Sequence, residues 1–404
     1  MISNLSQRPR AAIGHPYLGR GGSETKVMWL IEALKDRWDV DLITTGGWNL
    51  DELNRAYGTA VEDGDVRVRI APGARLLGRC PAAALRAGLF QRFCRTIAAE
   101  YDLRLSAYNG LDWGLPAIHF IADFSWDREV RERFDPPSPG LIYRDSLLRR
   151  AYLSLGRALA RPSGRDLYRD DTVVANSEWT AGLMESRCGR RPPVIYPPVP
   201  GELPTVPWER KEPAFVCLGR IDPEKRVERV VAILGRVRER HPELKLHVIG
   251  GLPETPYARG MRDLFRSNAS WVVHEGAVYG AAKTGLLGRF RYGLHACGRE
   301  AFGIAVAELA KAGAVVFAPA EGGQAEILGD EALLYRDEDE AVAKILRVLE
   351  SESEQARLRA LLAERVGRFT AAAFVKAVRE MVDQQGVPEE NSPLFPVGKG
   401  GRGG

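Results

Sequence analysis

Cysteine is scarce in this chain and dispersed where it occurs. Cys80, Cys94, Cys188, Cys217 and Cys297 are odd in number and form no C-x-x-C pair. That pattern argues against a disulfide framework and against a structural zinc site. Long apolar runs are also missing. No stretch approaches the roughly 20 residues that a membrane-crossing helix needs, so any membrane contact is expected to be peripheral. No secretory signal stands at the N-terminus, and the cytoplasm is the expected compartment. The formal net charge is only +4, a balance that does not point to nucleic acid as a partner.

What is present describes a globular enzyme-sized chain. Hydrophobic residues make up 45% and charged residues 27% of its 404 residues. That length is too great for one ordinary core and predicts two domains. Charge is unevenly placed. From Val66 to Ala99 there is no acidic residue, while Arg67, Arg69, Arg75, Arg79, Arg86, Arg92 and Arg95 all fall there. Leu76, Leu77, Leu89, Phe90 and Phe93 lie among them. Two readings stand: a surface for an anionic membrane or acceptor, or a solvated face over a core helix. A second arginine-rich stretch carries Arg144, Arg149, Arg150, Arg157, Arg161, Arg165 and Arg169.

Hydrophobic periodicity predicts strands at Ala11–Gly14, Val40–Thr44, Val66–Ile70, Leu103–Ala107, Ala117–Ile121 and Thr172–Ala175. Helices are expected at Glu24–Lys35 and Ser177–Ser186. Seven prolines between Pro192 and Pro207 then interrupt the pattern. Proline donates no hydrogen bond to a sheet and restricts its neighbour, so this segment reads as a linker. Beyond it the rhythm restarts, with strands at Ala214–Leu218, Lys245–Ile249, Trp271–His274 and Ala314–Ala318. Helices are expected at Val227–Arg240, Tyr257–Arg266 and Ala305–Ala312. Such alternation predicts parallel sheets covered on both faces. The expected organisation is a first Rossmann-like domain over residues 1–191, a linker over 192–210 and a second Rossmann-like domain over 211–368. A helix over 369–385 could return to the first domain, and a disordered tail occupies 386–404. Ligands of open α/β sheets bind beyond the carboxyl ends of the strands, which here face a shared cleft.

Four motifs lie on such loops. Gly19-Arg20-Gly21-Gly22-Ser23-Glu24 joins the first strand to its helix. Glycines there let backbone N–H groups approach an anion at the helix start, although a tight turn capped by Ser23 explains the same residues. Gly219-Arg220-Ile221-Asp222-Pro223-Glu224-Lys225 follows a strand of the second half. Arg220 offers a planar fork and Lys225 a point charge, a combination able to neutralise a diphosphate; a solvated charged loop is the plain alternative. In Glu300-Ala-Phe-Gly-Ile-Ala-Val-Ala-Glu308, two carboxylates bracket the start of a helix. Glu308 sits among Ile304, Val306, Ala307 and Leu309, where a carboxylate needs a partner. Phe302 and Gly303 lie where N–H groups face phosphate. His119 falls near the end of a predicted strand, where it is either a site residue or a core histidine.

In this order the motifs resemble family 4 glycosyltransferases of the GT-B fold, along nearly the whole chain to about residue 385. Asn176-Ser177-Glu178-Trp179-Thr180 and Val194-Ile195-Tyr196-Pro197-Pro198 are similar to that family's interdomain region. Gly293-Leu294-His295 ahead of Glu300 is reminiscent of its mannosyltransferases acting on lipid-linked oligosaccharides. The resemblance implies an α/β fold of two Rossmann-like domains facing a central cleft. It implies transfer of a hexose-type sugar, with retained configuration, from a GDP- or UDP-linked donor to a lipid-linked or glycan acceptor. No cofactor and no metal are implied. Gly21 and Gly22 would face the donor diphosphate, Arg220 and Lys225 would bind it as it leaves, and Glu300 would touch the donor sugar. Glu308 would hold the ribose, and His119 would contact the sugar near the acceptor. Phe302 and Gly303 would line the donor site, and backbone groups around Gly276 to Val278 would read the base.

The spacing Asp39-Val40-Asp41 could hold a metal, but it opens a strand rather than closing one. Rival readings are a nucleotide-sugar epimerase of the same fold and a nucleotide- or carbohydrate-binding protein without turnover. Asp337-Glu338-Asp339-Glu340 reads as a solvated acidic run.

Overall fold

A computed structural model describes residues 8–19, 21–72, 82–124, 129, 147–199, 203 and 206–385. Part of the acid-free stretch, with Arg75, Leu76, Leu77, Arg79 and Cys80, lies outside the described residues, as do Arg144 and the tail from 386.

The first sheet is built from β1 (Arg10–Gly14), β2 (Asp39–Thr44), β3 (Val66–Ile70), β4 (Leu103–Ser106), β5 (Ile118–Phe120) and β6 (Thr172–Val174). Its spatial order is β3-β2-β1-β4-β5-β6, with every neighbouring pair parallel. The second sheet holds β7 (Glu212–Leu218), β8 (Leu246–Ile249), β9 (Val272–Gly276), β10 (Phe290–Leu294), β11 (Val315–Pro319) and β12 (Leu334–Tyr335). Its order, β12-β11-β10-β7-β8-β9, is the same arrangement read from the other edge. In each sheet the chain reverses its winding between the first and fourth strands. The switch points are therefore β1/β4 and β7/β10, where crossovers diverge and leave a crevice for a ligand.

β10, central to the second sheet, has no counterpart among the strands expected from periodicity. Arg291 and Gly293 interrupt its apolar run, Phe290-Arg-Tyr-Gly-Leu294. The acidic run Asp337–Glu340 is solvated, with Asp337 and Asp339 exposed, and it opens a helix. Asp337 caps the helix Glu338–Leu349 by accepting from Glu340 N at 2.8 Å, and the carboxylates that follow face the positive end of that helix.

Each sheet has its own apolar core. Phe215, Val216, Phe290, Val316 and Phe317 lie at the centre of the second. Ile13, Leu30, Ile31, Leu42 and Leu105 lie at the centre of the first. The last described helix, Ala371–Gln384, joins the first core, burying Phe374, Val378 and Val382 there. Each such side chain is worth roughly 1.5–3 kcal/mol. Arg379 Nε donates to Ala33 O at 2.8 Å and Arg37 pairs with Asp383, so polar contacts fix the same return.

Contacts between the two halves are specific. Ser177 Oγ donates to Ala301 O at 2.5 Å. The Glu326 carboxylate accepts from the backbone N–H groups of Glu178 at 2.9 Å and Trp179 at 2.7 Å, and from Tyr196 Oη at 3.1 Å. A carboxylate from the second half thus occupies the N-terminus of the first half's helix Glu178–Cys188.

Candidate functional site

The second sheet's switch point gathers the charged motifs. β7 ends at Leu218, and the loop behind it carries Arg220 into the short turn Pro223–Lys225. β10 ends at Leu294, and its loop leads through His295 and Glu300 to the helix Ile304–Lys311. Because β7 and β10 are neighbours, the two loops meet. Lys225 Nζ lies 2.6 Å from Glu300 Oε2, with both side chains 19% exposed. The His295 ring Nε2 lies 3.1 Å from the same oxygen. Lys225 and His295 hold the Glu300 carboxyl well below the usual carboxylate range despite its burial, and Glu300 raises the Lys225 ammonium in turn. Arg220 is 72% exposed and only 3.4 Å from Asp222 Oδ2, so its fork remains largely accessible.

Glu308 sits in the second turn of the helix after Gly303, which caps it in a left-handed conformation at φ +102°. The partner its apolar setting requires is Lys283, whose Nζ stands 2.7 Å from Glu308 Oε1. Lys283 lies on the helix Gly280–Leu287, and nothing in its local sequence distinguishes it from a surface lysine. Phe302 is buried between Tyr196 and Phe369, so its ring packs and only its backbone can serve a ligand. Val278 packs against the second core.

The glycine loop of the first domain reaches this region. A methyl group added at Gly22 would sit 2.9 Å from Ile304 Cδ1, so the helix Gly22–Leu34 starts almost in contact with the helix that starts after Gly303. A larger residue there would have to displace the end of the Ile304 side chain. Ser23 makes no capping bond to the helix. The Gly21 N–H instead donates to Tyr57 Oη at 3.0 Å, and Glu24 accepts from Gly19 N at 2.8 Å and from Ser23 Oγ at 2.8 Å.

His119 is not at this cleft, which corrects the sequence expectation. Its ring is closed to solvent inside β5, and Nε2 lies 2.9 Å from Asp171 Oδ2. Asp171 directly precedes β6, at the amino edge of a parallel sheet, and pairs with Arg165 at 2.6 Å. His119 therefore leans away from the carboxyl edge.

The histidine at the first switch point is His15, immediately after β1. Its ring is buried, faces Tyr108 at 5.7 Å, and neither nitrogen completes a hydrogen bond. Burial pushes its pKa down to about 4; Glu24 and the Tyr17 backbone oppose this and Lys26 adds to it. Lys26 is buried beside it and pushed down to about 8 by desolvation, against the pull of Asp123. Its ammonium has one long hydrogen bond, 3.5 Å to Ile121 O. Asn109 Nδ2 and Tyr108 Oη approach Asp123 at 3.2 Å each. A lone histidine directly after the first predicted strand was the legible signal for this cluster.

Among the described residues, His295, Cys297 and Glu300 place ligand atoms within 4.8 Å of one another. This set suits a metal poorly. The Lys225 ammonium already neutralises the carboxylate, and burial pushes the Cys297 thiol up to about 12, far from the thiolate a metal binds. Asp41 of the Asp-x-Asp spacing is likewise committed, to Arg10, Arg67 and Tyr101 inside the first domain.

Two facing sheets of identical order, with charged loops at both switch points, define a GT-B architecture, and solved structures share it. The chain is similar to sucrose-phosphate synthase from Thermosynechococcus elongatus at a TM-score of 0.69 and 18% identity, covering 94% of this chain and 99% of that one. It is similar to HepE of Anabaena in complex with UDP and glucose at a TM-score of 0.67 and 15% identity, covering 93% and 99%. It is also similar to WaaG, a glycosyltransferase involved in lipopolysaccharide biosynthesis, at a TM-score of 0.62 and 16% identity, covering 93% and 99%. Residues 204–361 match the family model of glycosyl transferases group 1. No curated protein sequence matches the chain.

Proposed function

We propose that this chain is a retaining glycosyltransferase that moves a hexose-type sugar from a nucleoside-diphosphate sugar to an acceptor hydroxyl without a metal. The observation that carries the reading is the convergence of Lys225, Glu300 and accessible Arg220 at one switch point, beside the helix start at Gly303. In this reading Arg220 and Lys225 neutralise the diphosphate, Glu300 receives the donor sugar, and Glu308 holds the ribose. The glycosyl–phosphate bond breaks, the acceptor oxygen bonds the anomeric carbon on the same face, and its proton passes to the departing phosphate. The protein contributes positioning and charge stabilisation. Gly21 and Gly22 close over the diphosphate from the first domain. His15, not His119, supplies the imidazole on the acceptor side, neutral at pH 7. A uridine donor is favoured over a guanosine one by the UDP complex of HepE.

The test is nucleotide release from UDP-glucose, UDP-N-acetylglucosamine and GDP-mannose across a panel of glycan and lipid-linked acceptors, with and without EDTA. Acceptor-dependent release that survives EDTA, with a product of unchanged anomeric configuration by NMR, is the expected result. An altered nucleotide sugar without release would mean an epimerase. Binding without either would mean a protein that has lost turnover.

A further inference from the structure

The two arginine-rich stretches, separate in sequence, are neighbours in the fold. The helix Ala83–Ile97 packs along the helix Leu147–Ala160 at a glycine crossing, where a methyl at Gly88 would come 2.3 Å from Gly156 O. Ala84 N donates to Tyr152 Oη at 2.8 Å and Arg95 to Ala160 O at 2.6 Å. Much of the first stretch turns inward. Phe90 is buried in the core, Arg67 and Arg69 pair with Asp41 and Glu100, and Arg95 pairs with Asp112. The expectation that Val66–Ala99 itself meets a membrane is thereby narrowed.

The outward face belongs to its partner. Leu147, Leu148 and Leu155 are 83%, 85% and 53% exposed. With Ala151 and Ala158, also exposed, they fall within about a third of the helix circumference at 3.6 residues per turn. Arg157 lies on the adjoining flank and Arg161 directly follows the helix in a left-handed conformation at φ +48°; both are exposed, and neither makes an ion pair among the described residues. No acidic residue occurs from Leu147 to Arg165. An apolar arc beside a cationic arc, anchored by a small-residue face, is the pattern of a helix lying in a bilayer interface, and the uncompensated positive charge selects anionic headgroups.

We propose that the helix Leu147–Ala160 is a docking face for an anionic lipid bilayer, with its leucines entering the acyl boundary and Arg157 and Arg161 meeting headgroup phosphates. The full chain is sedimented at low salt with vesicles of phosphatidylcholine and phosphatidylglycerol in equal parts, and with pure phosphatidylcholine. Binding to the mixed vesicles alone is expected. It should weaken at least about tenfold in the double variant Leu148→Asp/Leu155→Asp and in Arg157→Glu/Arg161→Glu, each charge near the surface being worth about fivefold. Thermal melting and UDP binding identify folded variants, and the arginine pair, being exposed, keeps the test open if the leucine variant misfolds. Absent binding, equal binding to neutral vesicles, or unchanged binding in both folded variants would overturn the proposal. So would a wild-type dimer in gel filtration that Leu148→Asp/Leu155→Asp disperses, since the face would then join two copies of this chain.

Discussion

Lys225 and Glu300, 75 residues apart in the chain, meet at 2.6 Å between Nζ and Oε2. The two groups proposed to handle the leaving diphosphate and the donor sugar are thus a preassembled ion pair. Removing either member alters the charge of the other's surroundings, so their effects cannot be independent.

Lys225→Ala and Arg220→Ala should each reduce kcat by roughly 100- to 1000-fold, the usual consequence of deleting a preorganised charge stabiliser. Combining Lys225→Ala with Glu300→Gln should cost less than the sum of the single changes, because the pair is already broken. Steady-state rates of the three variants measure this; strict additivity would mean that the pair does not act as a unit.

Glu300 also links stability to acidity. Its folded pKa lies below its unfolded value near 4.3, so its contribution is full above that value and declines as pH falls through the folded one. Between about pH 3 and pH 5 the unfolded chain binds more protons at this site, and stability should rise with pH. The melting-temperature gap between wild type and Glu300→Gln should widen over that interval and stay level above it. A constant gap would show that Lys225 and His295 do not depress this carboxyl.

Glu308→Ala should weaken UDP binding by about 1.5–3 kcal/mol, the cost of a lost charged hydrogen bond. Lys283→Ala should weaken it through the position of the Glu308 carboxylate, and calorimetric titration reads both. Unchanged affinity in folded Glu308→Ala protein would remove the ribose assignment.

The two buried histidines should separate cleanly. His119→Ala leaves one Asp171 oxygen without its partner and should destabilise the fold by about 1–3 kcal/mol, while surviving protein turns over normally. His15→Ala removes at most a poorly aligned contact to the Tyr17 backbone and should lower kcat about 100-fold through lost positioning, with little change in UDP affinity. The opposite pattern would return His119 to the active site.

Lys26 should prove a liability to stability that function retains. Its folded pKa of about 8 lies below the unfolded value near 10.4, so the folded state resists the charge. Between those values the unfolded chain holds more protons, and stability rises with pH on this group's account. Lys26→Met should therefore stabilise the protein at pH 7, by up to about 3 kcal/mol for a shift from 10.5 to about 8, while impairing transfer. Lower stability together with normal turnover would make Lys26 a structural residue.

Most of the α/β rhythm was legible in the sequence because local periodicity and proline placement are properties of neighbouring residues. The Gly-Gly, Gly-Arg-x4-Lys and Glu-x7-Glu loops were legible for the same reason. Pairing across distance was not. Only the juxtaposition of β7 and β10 brings Lys225 onto Glu300, and only the packing of two helices gives Glu308 its Lys283. The direction of a side chain out of a strand also escaped: His119 and His15 both sit at β-strands, yet Asp171 draws one toward the amino edge while the chain carries the other past the carboxyl edge. Sequence spacing specifies which residues a loop or helix offers, whereas burial, ion pairing and facing depend on which elements the fold sets side by side.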